Sequence, residues 1–459
     1  MATLTHRFSI ARRHLGWFLL AIVVLSVGIV DLTDGVIVVG DYLSGSAPLD
    51  PSMKNRSPIT AVALGLIIAA AFAIWLTVRL VNLGKKPSTR FCACAVLALV
   101  VGALWILLSI WLPYDREQPI IRNIERLERN GKWVPGGNRG HELTRGGPDW
   151  LRRLVGYERM KVFDRVNAVH LDGSTIGDSD LDDLKLKELA SLKLLSLNDT
   201  GVGDAGLAHL SGLTSLRILH LNKTQITDAG LAHLKGIPNL EELDIRETQV
   251  TDAGLLHLTG MKKLRVLWLP RGNERTDWQT TIGDAGLAHL STLTNLEELD
   301  IYSTQVTDAG LLHLTGMKKL RVLELYGKNV GNAGLAQVSG LTNLRRLNIS
   351  STQVTDAGLV HLSKLTNLKM LHLSTKQVSD AGLLHLTGMK ELRVLWLGCP
   401  NVGDAGLVHL RGLWLEQLRL MGTAVTATGI KELSKALPHY CAIHLDRQLF
   451  VNGEKREPK

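Results

Sequence analysis

Near-identical stretches recur along the chain at a fixed period, and this repetition limits the folds that the chain can adopt. The stretch LEELDIRETQVTDAGLLHLTGMKK begins at Leu240 and returns as LEELDIYSTQVTDAGLLHLTGMKK from Leu296. Looser copies, mostly 24 residues apart, begin at Leu192, Leu216, Leu264, Leu320, Leu344, Leu368, Leu392 and Leu415. A period in this range is typical of a solenoid, in which each unit buries its apolar face only against its neighbours.

Each unit reads as a strand followed by a helix. Leu240, Leu243 and Ile245 have the LxxLxL spacing of a short strand whose apolar side chains point into the stack. Asp252 can cap a helix that continues through Leu258, so the strand and the helix lie on opposite sides of the unit. Between them a threonine recurs whose hydroxyl is placed to bond the turning backbone: Thr200, Thr224, Thr248, Thr280, Thr304, Thr352 and Thr423.

These units resemble the leucine-rich repeat family, in particular the subtype that reads LxxLxLxxTxVTDAGLxHL, which is similar to the cysteine-containing, F-box-associated repeats. The resemblance runs from about Val166 to Leu437, with eleven units in register, a degenerate first unit and a shortened last unit. It implies an α/β fold, namely a leucine-rich repeat solenoid shaped as a horseshoe with a parallel sheet on its concave side. It also implies a role in binding proteins or other ligands rather than in catalysis.

Three apolar runs precede the repeats, at residues 15–30, 59–78 and 91–112. The second and third are about 20 residues long and uncharged, which is the length needed to cross a bilayer. The first lacks a small-x-small cleavage site, so we interpret it as an uncleaved anchor. We therefore predict that residues 1–112 form a membrane anchor with three transmembrane helices.

The loops between these runs predict the orientation of the chain. The N-terminal arm and the second loop are basic, so the positive-inside rule places both in the cytoplasm and the repeats outside it. This predicts a multi-pass protein of the cell membrane with an extracytoplasmic repeat domain. Within the second run Ala61, Gly65, Ala69 and Ala73 recur four apart, a spacing that lets helices pack closely, either within one chain or in a homo-oligomer.

Residues 113–165 fit neither pattern. They contain an amphipathic stretch from Gln118 to Arg129, a glycine-rich linker and a short apolar stretch around Trp150. Because a solenoid needs its apolar ends covered, we expect a linker and N-terminal cap here. Repeats then fill residues 166–437, and residues 438–459 form a C-terminal cap and tail. This order is similar to that of bacterial membrane-attached leucine-rich repeat proteins.

Charge and cysteine content exclude two classes of protein. Residues 1–160 hold 19 Lys and Arg against 11 Asp and Glu, whereas the remainder is balanced at 33 against 32. The repeats therefore lack the concentrated positive charge of a nucleic-acid reader. Four cysteines are too few for a disulfide framework, and we interpret Cys399 and Cys441 as free thiols, since two strand spacings separate them.

No motif in the sequence predicts catalysis or a cofactor. HELTR at 141 lacks the second histidine of a zinc site, because Arg145 stands in its place. A histidine series could bind metal or sense pH, but no second ligand type recurs beside it, so we interpret it as a partly covered helix flank. The series comprises His209, His233, His257, His289, His313, His361, His385 and His409.

Residues between the inward leucines of each strand must point to the concave side. In the middle units these positions carry large aromatic residues among acidic ones, a composition typical of binding hot spots. We predict a ligand-binding site there, although drift at exposed positions could produce the same cluster by accident. The predicted residues are Asp244, Trp268, Asp300, Tyr302, Glu324, Tyr326 and Trp396.

The unit that starts at Leu264 is 32 residues long instead of 24. The extra residues must emerge as a loop, which either flanks the binding face or is a tolerated insertion. Arg271, Arg275, Asp277 and Trp278 would lie in it.

The sequence as a whole predicts a membrane-anchored binding protein, either a receptor or a scaffold. Its concave aromatic and acidic surface would take a protein, peptide or glycan without turnover. The alternative is a cytoplasm-facing adaptor similar to the substrate-recognition subunits of ubiquitin ligases, although the chain shows no F-box segment.

Overall fold

The repeats form one long sheet with a layer of short helices behind it. A computed structural model describes residues 116–127, 139–144, 165–271, 282–302 and 305–456. The chain divides into two compact units, Met1–Gln118 with Thr144–Arg165, and Pro119–Leu143 with Val166–Lys459. The fold described below is that of the second unit.

Fifteen described strands form a single sheet in which each strand lies beside its neighbours in sequence. Strands β2 to β13 are parallel, and β14 and β15 return antiparallel. Their bounds are β1 Arg139–Thr144, β2 Arg165–Leu171, β3 Leu194–Ser196, β4 Ile218–His220, β5 Glu242–Asp244, β6 Val266–Trp268, β7 Glu298–Tyr302, β8 Val322–Tyr326, β9 Arg346–Ser350, β10 Met370–Leu373, β11 Val394–Leu397, β12 Gln417–Leu420, β13 Ala442–Leu445, β14 Gln448–Val451 and β15 Glu454–Arg456.

Short helices follow most of the parallel strands. The α-helices are α1 at 116–127, α2 Asp178–Leu184, α3 Asp204–Leu210, α4 Asp228–Leu231, α5 Asp252–Leu255, α6 Asp284–Leu290, α7 Asp308–Leu311, α8 Asn332–Val338, α9 Asp356–Leu359 and α10 Ala427–Ser434. Helices of the 3-10 type occupy Leu186–Glu188, Ala232–Gly236, Leu256–Leu258, Leu312–Leu314, Val360–Lys364, Asp380–Leu386 and Gly406–Leu410.

Equivalent positions of successive units stand side by side in the sheet. Leu219 pairs with Leu243, and Leu243 pairs with Leu267, so the inward leucines form continuous rows. All three are fully buried. One apolar cluster extends from Ile120 of α1 to Phe450 of β14. The prediction of an α/β solenoid with a parallel sheet is confirmed.

The aspartate of each TDAG motif links its unit to the next one. Asp228 accepts hydrogen bonds from the backbone nitrogen of Thr251 at 2.7 Å and from its hydroxyl at 2.6 Å. The hydroxyl of Thr251 accepts in turn from the nitrogen of Ala253 at 3.3 Å and thereby caps α5. The same two bonds to a hydroxyl residue recur from Asp204, Asp284, Asp356 and Asp404. We call this series the aspartate ladder.

The aspartate ladder corrects one prediction. Asp252 does not cap its own helix: the preceding Thr251 does, and Asp252 is the first helical residue. Its carboxylate accepts instead from the backbone nitrogen of Gly283, at 2.8 Å, in the next unit. The physical reason is that a carboxylate one residue inside the helix points across to the neighbouring unit, whose helix start carries unpaired backbone N–H groups.

The predicted threonine row is confirmed at four of the five positions that the structure describes. The hydroxyls of Thr200, Thr224, Thr248 and Thr352 donate to the carbonyl three residues earlier, at 2.6 to 3.0 Å. At the fifth, the hydroxyl of Thr423 is buried and has no hydrogen-bond partner among the described residues. Thr280 and Thr304 lie outside the described residues.

The structure contradicts the prediction of a fold with three transmembrane helices. A span needs about 20 apolar residues, and no described helix is both long and apolar enough to cross a membrane. Helix α1 ends at residue 127 and carries Arg122, Glu125 and Arg126. The predicted spans 15–30, 59–78 and 91–112 lie outside the described residues. The multi-pass localisation and the extracytoplasmic placement of the repeats depended on those spans and are corrected with them.

The predicted amphipathic helix is present as α1, two residues earlier than predicted, and it buries Ile120 and Ile124 in the core. Strand β1 lies within the stretch predicted as a glycine-rich linker, and the region around Trp150 is outside the described residues. At the other end β13 contains the buried Ile443. Cys399 and Cys441 are buried free thiols, which confirms that prediction.

Candidate ligand-binding face

The face of the sheet turned away from the core is called the open face here, and it carries the residues predicted to bind ligand. Trp268 of β6, Asp300 of β7 and Glu324 of β8 stand side by side in the sheet register. Tyr302 and Tyr326 stand side by side two residues further along. We call Trp268, Tyr302 and Tyr326, with the charged side chains that touch them, the central patch.

Trp268 is held by polar partners on both neighbouring strands. Its indole nitrogen donates to the Glu298 carboxylate at 2.8 Å, and the Arg246 guanidinium lies 5.1 Å from its ring centroid. His220, two strands away, contacts the indole with centroids 6.0 Å apart. An aromatic ring fixed in this way presents its remaining surface without a large loss of side-chain entropy on binding.

Tyr302 and Tyr326 form the second part of the central patch. Their rings stack with centroids 4.1 Å apart and an interplanar angle of 16°. The guanidinium of Arg271 lies 5.8 Å from the Tyr302 centroid, at the start of the insertion. Both tyrosines are half-buried, so one side of the stacked pair is accessible. Paired aromatics with an adjacent arginine have the composition of a protein-binding hot spot.

The open face is less acidic than the sequence predicted, because arginines neutralise two of its acids. Asp244 accepts from Arg246 through both oxygens, at 2.9 and 2.6 Å. This bond raises the pKa of Arg246. Glu324 lies 2.6 Å from Arg346.

Asp300 is the exception among these acids, since the described residues contain no ion pair for it. Its side chain accepts from the backbone nitrogen of Tyr302 at 2.9 Å. Only 7% of the residue is exposed, and burial raises its pKa to about 6. The nearby charges of Arg271 and Arg246 oppose this shift, whereas that of Glu324 adds to it.

Trp396 belongs to a second group of side chains. It lies on β11, three strands and roughly 14 Å from Tyr326 on β8. The ring of His372 meets the indole edge-on with centroids 5.0 Å apart, and the Arg419 guanidinium covers it at 4.3 Å. Burial lowers the pKa of His372. The structure therefore does not bring Trp396 together with the central patch.

The structure describes the insertion loop only at its first predicted residue. Arg271 faces Tyr302, whereas Arg275, Asp277 and Trp278 lie outside the described residues. The participation of this loop in binding therefore stays a prediction.

Sequence analysis did not nominate the arginines that complete the face. Arg419 occupies an outward position of β12, and Arg246 continues the alternation two residues after Asp244 at the end of β5. Glu298 begins β7, two residues before the predicted Asp300, and Arg346 begins β9, on which no binding residue was predicted. The sequence signal that could have predicted these arginines is their recurrence beside aromatic positions. Recognising it requires the register between neighbouring strands.

The histidine series lies on the helical side of the solenoid, and its members are all half-buried. His209 lies 3.1 Å from Asp182. The described residues contain no cluster of histidine, cysteine and acidic side chains that could hold a metal ion.

The repeats match a known protein family, and the chain is similar to solved structures. A family model described as a leucine-rich repeat region matches residues 184–403, which contain strands β3 to β11. An internalin from Listeria monocytogenes is similar at 19% identity, covering 57% of this chain and 76% of that one, with a TM-score of 0.43. A leucine-rich repeat protein from Leptospira interrogans is similar at 18% identity over 63% and 74%, with a TM-score of 0.42.

No curated protein matches the chain. The assignment of a family therefore depends on the matched repeats and on the strand-and-helix unit that they build. Residues 184–403 of this chain belong to the leucine-rich repeat family.

Proposed function

We propose that the chain is a non-enzymatic binding protein whose central patch holds a polypeptide segment of a partner protein. The observation that carries this proposal is the stacked pair Tyr302 and Tyr326, with Trp268 on the adjacent strand. Tyrosine, tryptophan and arginine are the residues that supply most binding energy in protein interfaces. All three types meet here on an accessible surface.

The rigidity of the strands that carry the central patch supports the same proposal. The residues that alternate with the patch, Leu267, Leu299 and Leu323, are fully buried in the core, so the strands that carry the patch are anchored from behind. The hydrogen bond to Glu298 and the cation–π contact with Arg246 fix the orientation of Trp268. A preformed surface loses little conformational freedom on association, and this favours binding without chemistry.

The test is capture of partners by the full chain from cells that express it. Tyr302→Ala with Tyr326→Ala should lower recovery of a specific partner by at least about tenfold, since loss of one hot-spot residue costs about 2 kcal/mol or more. The matched control is Trp414→Ala with Tyr440→Ala, because these aromatic residues are 60% and 61% exposed and lie outside the patch.

The control variant should recover the partner as the unchanged chain does. Equal recovery with the patch variant would show that the central patch is not the binding site. Thermal unfolding of both variants verifies that each one folds.

A further inference from the structure

A row of charged side chains runs along the edge of the sheet where the strands begin. On β4 to β8 the residue just before each strand alternates in sign, in the order Arg217, Glu241, Arg265, Glu297 and Arg321. Neighbours in this series form ion pairs at 2.8, 3.9, 2.7 and 3.1 Å. The positive and negative charges on this part of the edge therefore neutralise each other.

From β8 onward the alternation stops. The equivalent positions are Arg321, Arg345, Lys369 and Arg393, which we call the basic row. Their backbones are direct neighbours, since Arg345 donates to the carbonyl of Arg321 and Lys369 to that of Arg345, both at 2.8 Å, while Arg393 donates to that of Lys369 at 2.9 Å. Four cations thus follow one another at a spacing of about 4.8 Å.

The middle of the basic row has no internal counter-charge. Arg321 has Glu297, and Arg393 lies 3.9 Å from Glu391. Arg345 and Lys369 are exposed, and neither side chain forms an ion pair with any residue that the structure describes. Like charges at this spacing repel each other, a cost that the alternating half of the edge avoids.

The open face beside the basic row adds positive charge. Glu324 on this face already forms an ion pair with Arg346 at 2.6 Å. The guanidinium carbon of Arg419 lies 4.3 Å from the centroid of the Trp396 ring. The guanidinium keeps its positive charge there, so it can attract a carboxylate while it remains on the indole.

We propose that the basic row, together with Arg419, binds a short acidic segment of a protein, whose Asp and Glu carboxylates pair with Arg345 and Lys369. Glu297 precedes the row on β7 and Glu416 follows it on β12. A long polyanion such as heparin or RNA would extend over these acids and be repelled there. A segment of four or five extended residues, at about 3.3 Å each, fits between them.

This inference does not rest on the proposed function, because the basic row and the central patch are different surfaces. The test measures binding of a labelled oligoglutamate peptide to the full chain by fluorescence anisotropy, at low and at physiological ionic strength. Arg345→Glu with Lys369→Glu should weaken binding by about tenfold or more at low ionic strength. Binding to the unchanged chain should weaken as salt is added.

The matched control is Lys187→Glu with Lys193→Glu. It changes the net charge by the same amount, and Lys193 occupies the equivalent position before β3. Binding by this control should stay within about twofold of the unchanged chain. An equal loss in both double variants would show that net charge alone drives the interaction and would overturn the proposal.

Two further outcomes are decisive. Heparin or RNA binding more tightly than oligoglutamate, with the same dependence on Arg345 and Lys369, would assign the row to a different class of partner and overturn the proposal. Tyr302→Ala with Tyr326→Ala should leave oligoglutamate binding unchanged. Failure of the row and failure of the central patch can therefore be told apart.

Discussion

Asp300 shows how a single side chain can take its properties from its surroundings rather than from its sequence position. Alternation along β7 places it on the open face, as predicted, but the residue is only 7% exposed. Asp244 occupies the equivalent position on β5 and has Arg246 two residues later, whereas Asp300 has Tyr302 at that place. The sequence therefore predicts where Asp300 lies and does not predict that it is buried with no ion pair to any residue that the structure describes.

This burial predicts a pH-dependent stability. The folded-state pKa of Asp300, about 6, lies above the ordinary value of 3.8, so the ionised carboxylate destabilises the fold. The destabilisation is complete above pH 6 and disappears as the pH falls through 6 toward 4. Asp300→Asn should raise the free energy of unfolding by roughly 1–3 kcal/mol at pH 8 and by much less at pH 4.

Chemical denaturation at the two pH values measures this difference. Asp244→Asn serves as the control, and it should destabilise the protein at pH 8 because it weakens the two-point bond to Arg246. A constant gain from Asp300→Asn at both pH values would contradict the assignment of the raised pKa to Asp300.

The two cysteines of the solenoid should resist thiol reagents. Burial raises the pKa of Cys441 to about 11 and also raises that of Cys399. At pH 8 only about a thousandth of Cys441 is then thiolate, the reactive form. Peptide-level mass spectrometry after brief alkylation should find both unmodified in native protein and modified after denaturation. Rapid labelling of native Cys441 would indicate an activated nucleophile and reopen the question of catalysis.

At the scale of the element, the aspartate ladder explains why the motif reads TDAG. The sequence shows that threonine, aspartate and glycine recur together, but hydrogen bonds between units cannot be seen in a single unit. The structure shows why glycine follows: a Cβ on Gly254 would collide with the carboxylate of Asp228 in the preceding unit. In α8 the aspartate position holds Asn332, which bonds Thr355 through its amide, and α9 has no side-chain cap. In the last unit the same position holds Ala427.

A pair of glycine substitutions tests this explanation. Gly254→Ala should destabilise the protein by about 2 kcal/mol or more, because the new methyl group displaces the Asp228 carboxylate from its two bonds to Thr251. Gly260→Ala is the control in the same unit, since a Cβ there meets no atom within 4 Å. It should be neutral or slightly stabilising. Thermal unfolding compares the two, and equal effects would rule out the collision.

At the scale of the whole molecule, the period of 24 residues was sufficient to predict the solenoid and its parallel sheet. The inward leucines recur at one spacing, and only stacked units can bury all of them. The prediction of membrane helices had a weaker basis, the apolar composition of residues 1–112, which is a local property. It is wrong, because no described helix meets the requirements for a span. The ends were harder to predict, since β1 and the hairpin of β14 and β15 have no copy elsewhere in the chain.

The terminal hairpin should be essential for the stability of the last units. Phe450 of β14 is 3% exposed and faces Ile443 of β13, so it closes the apolar end of the stack. Phe450→Ala should cost about 3–5 kcal/mol and promote self-association through the uncovered leucines. Light scattering and thermal unfolding measure both effects. Tyr440→Ala, at a residue 61% exposed, is the control and should change stability by less than about 0.5 kcal/mol.

The aspartate ladder has a direction, and this has a consequence for synthesis. Each carboxylate receives its donors from the unit that follows it in the chain, as Asp228 does from Thr251. A ribosome releases the N-terminal units first, so the acceptor for every new helix start is already in place when that helix emerges. Folding can therefore follow translation one coil at a time, with each finished coil serving as the template for the next.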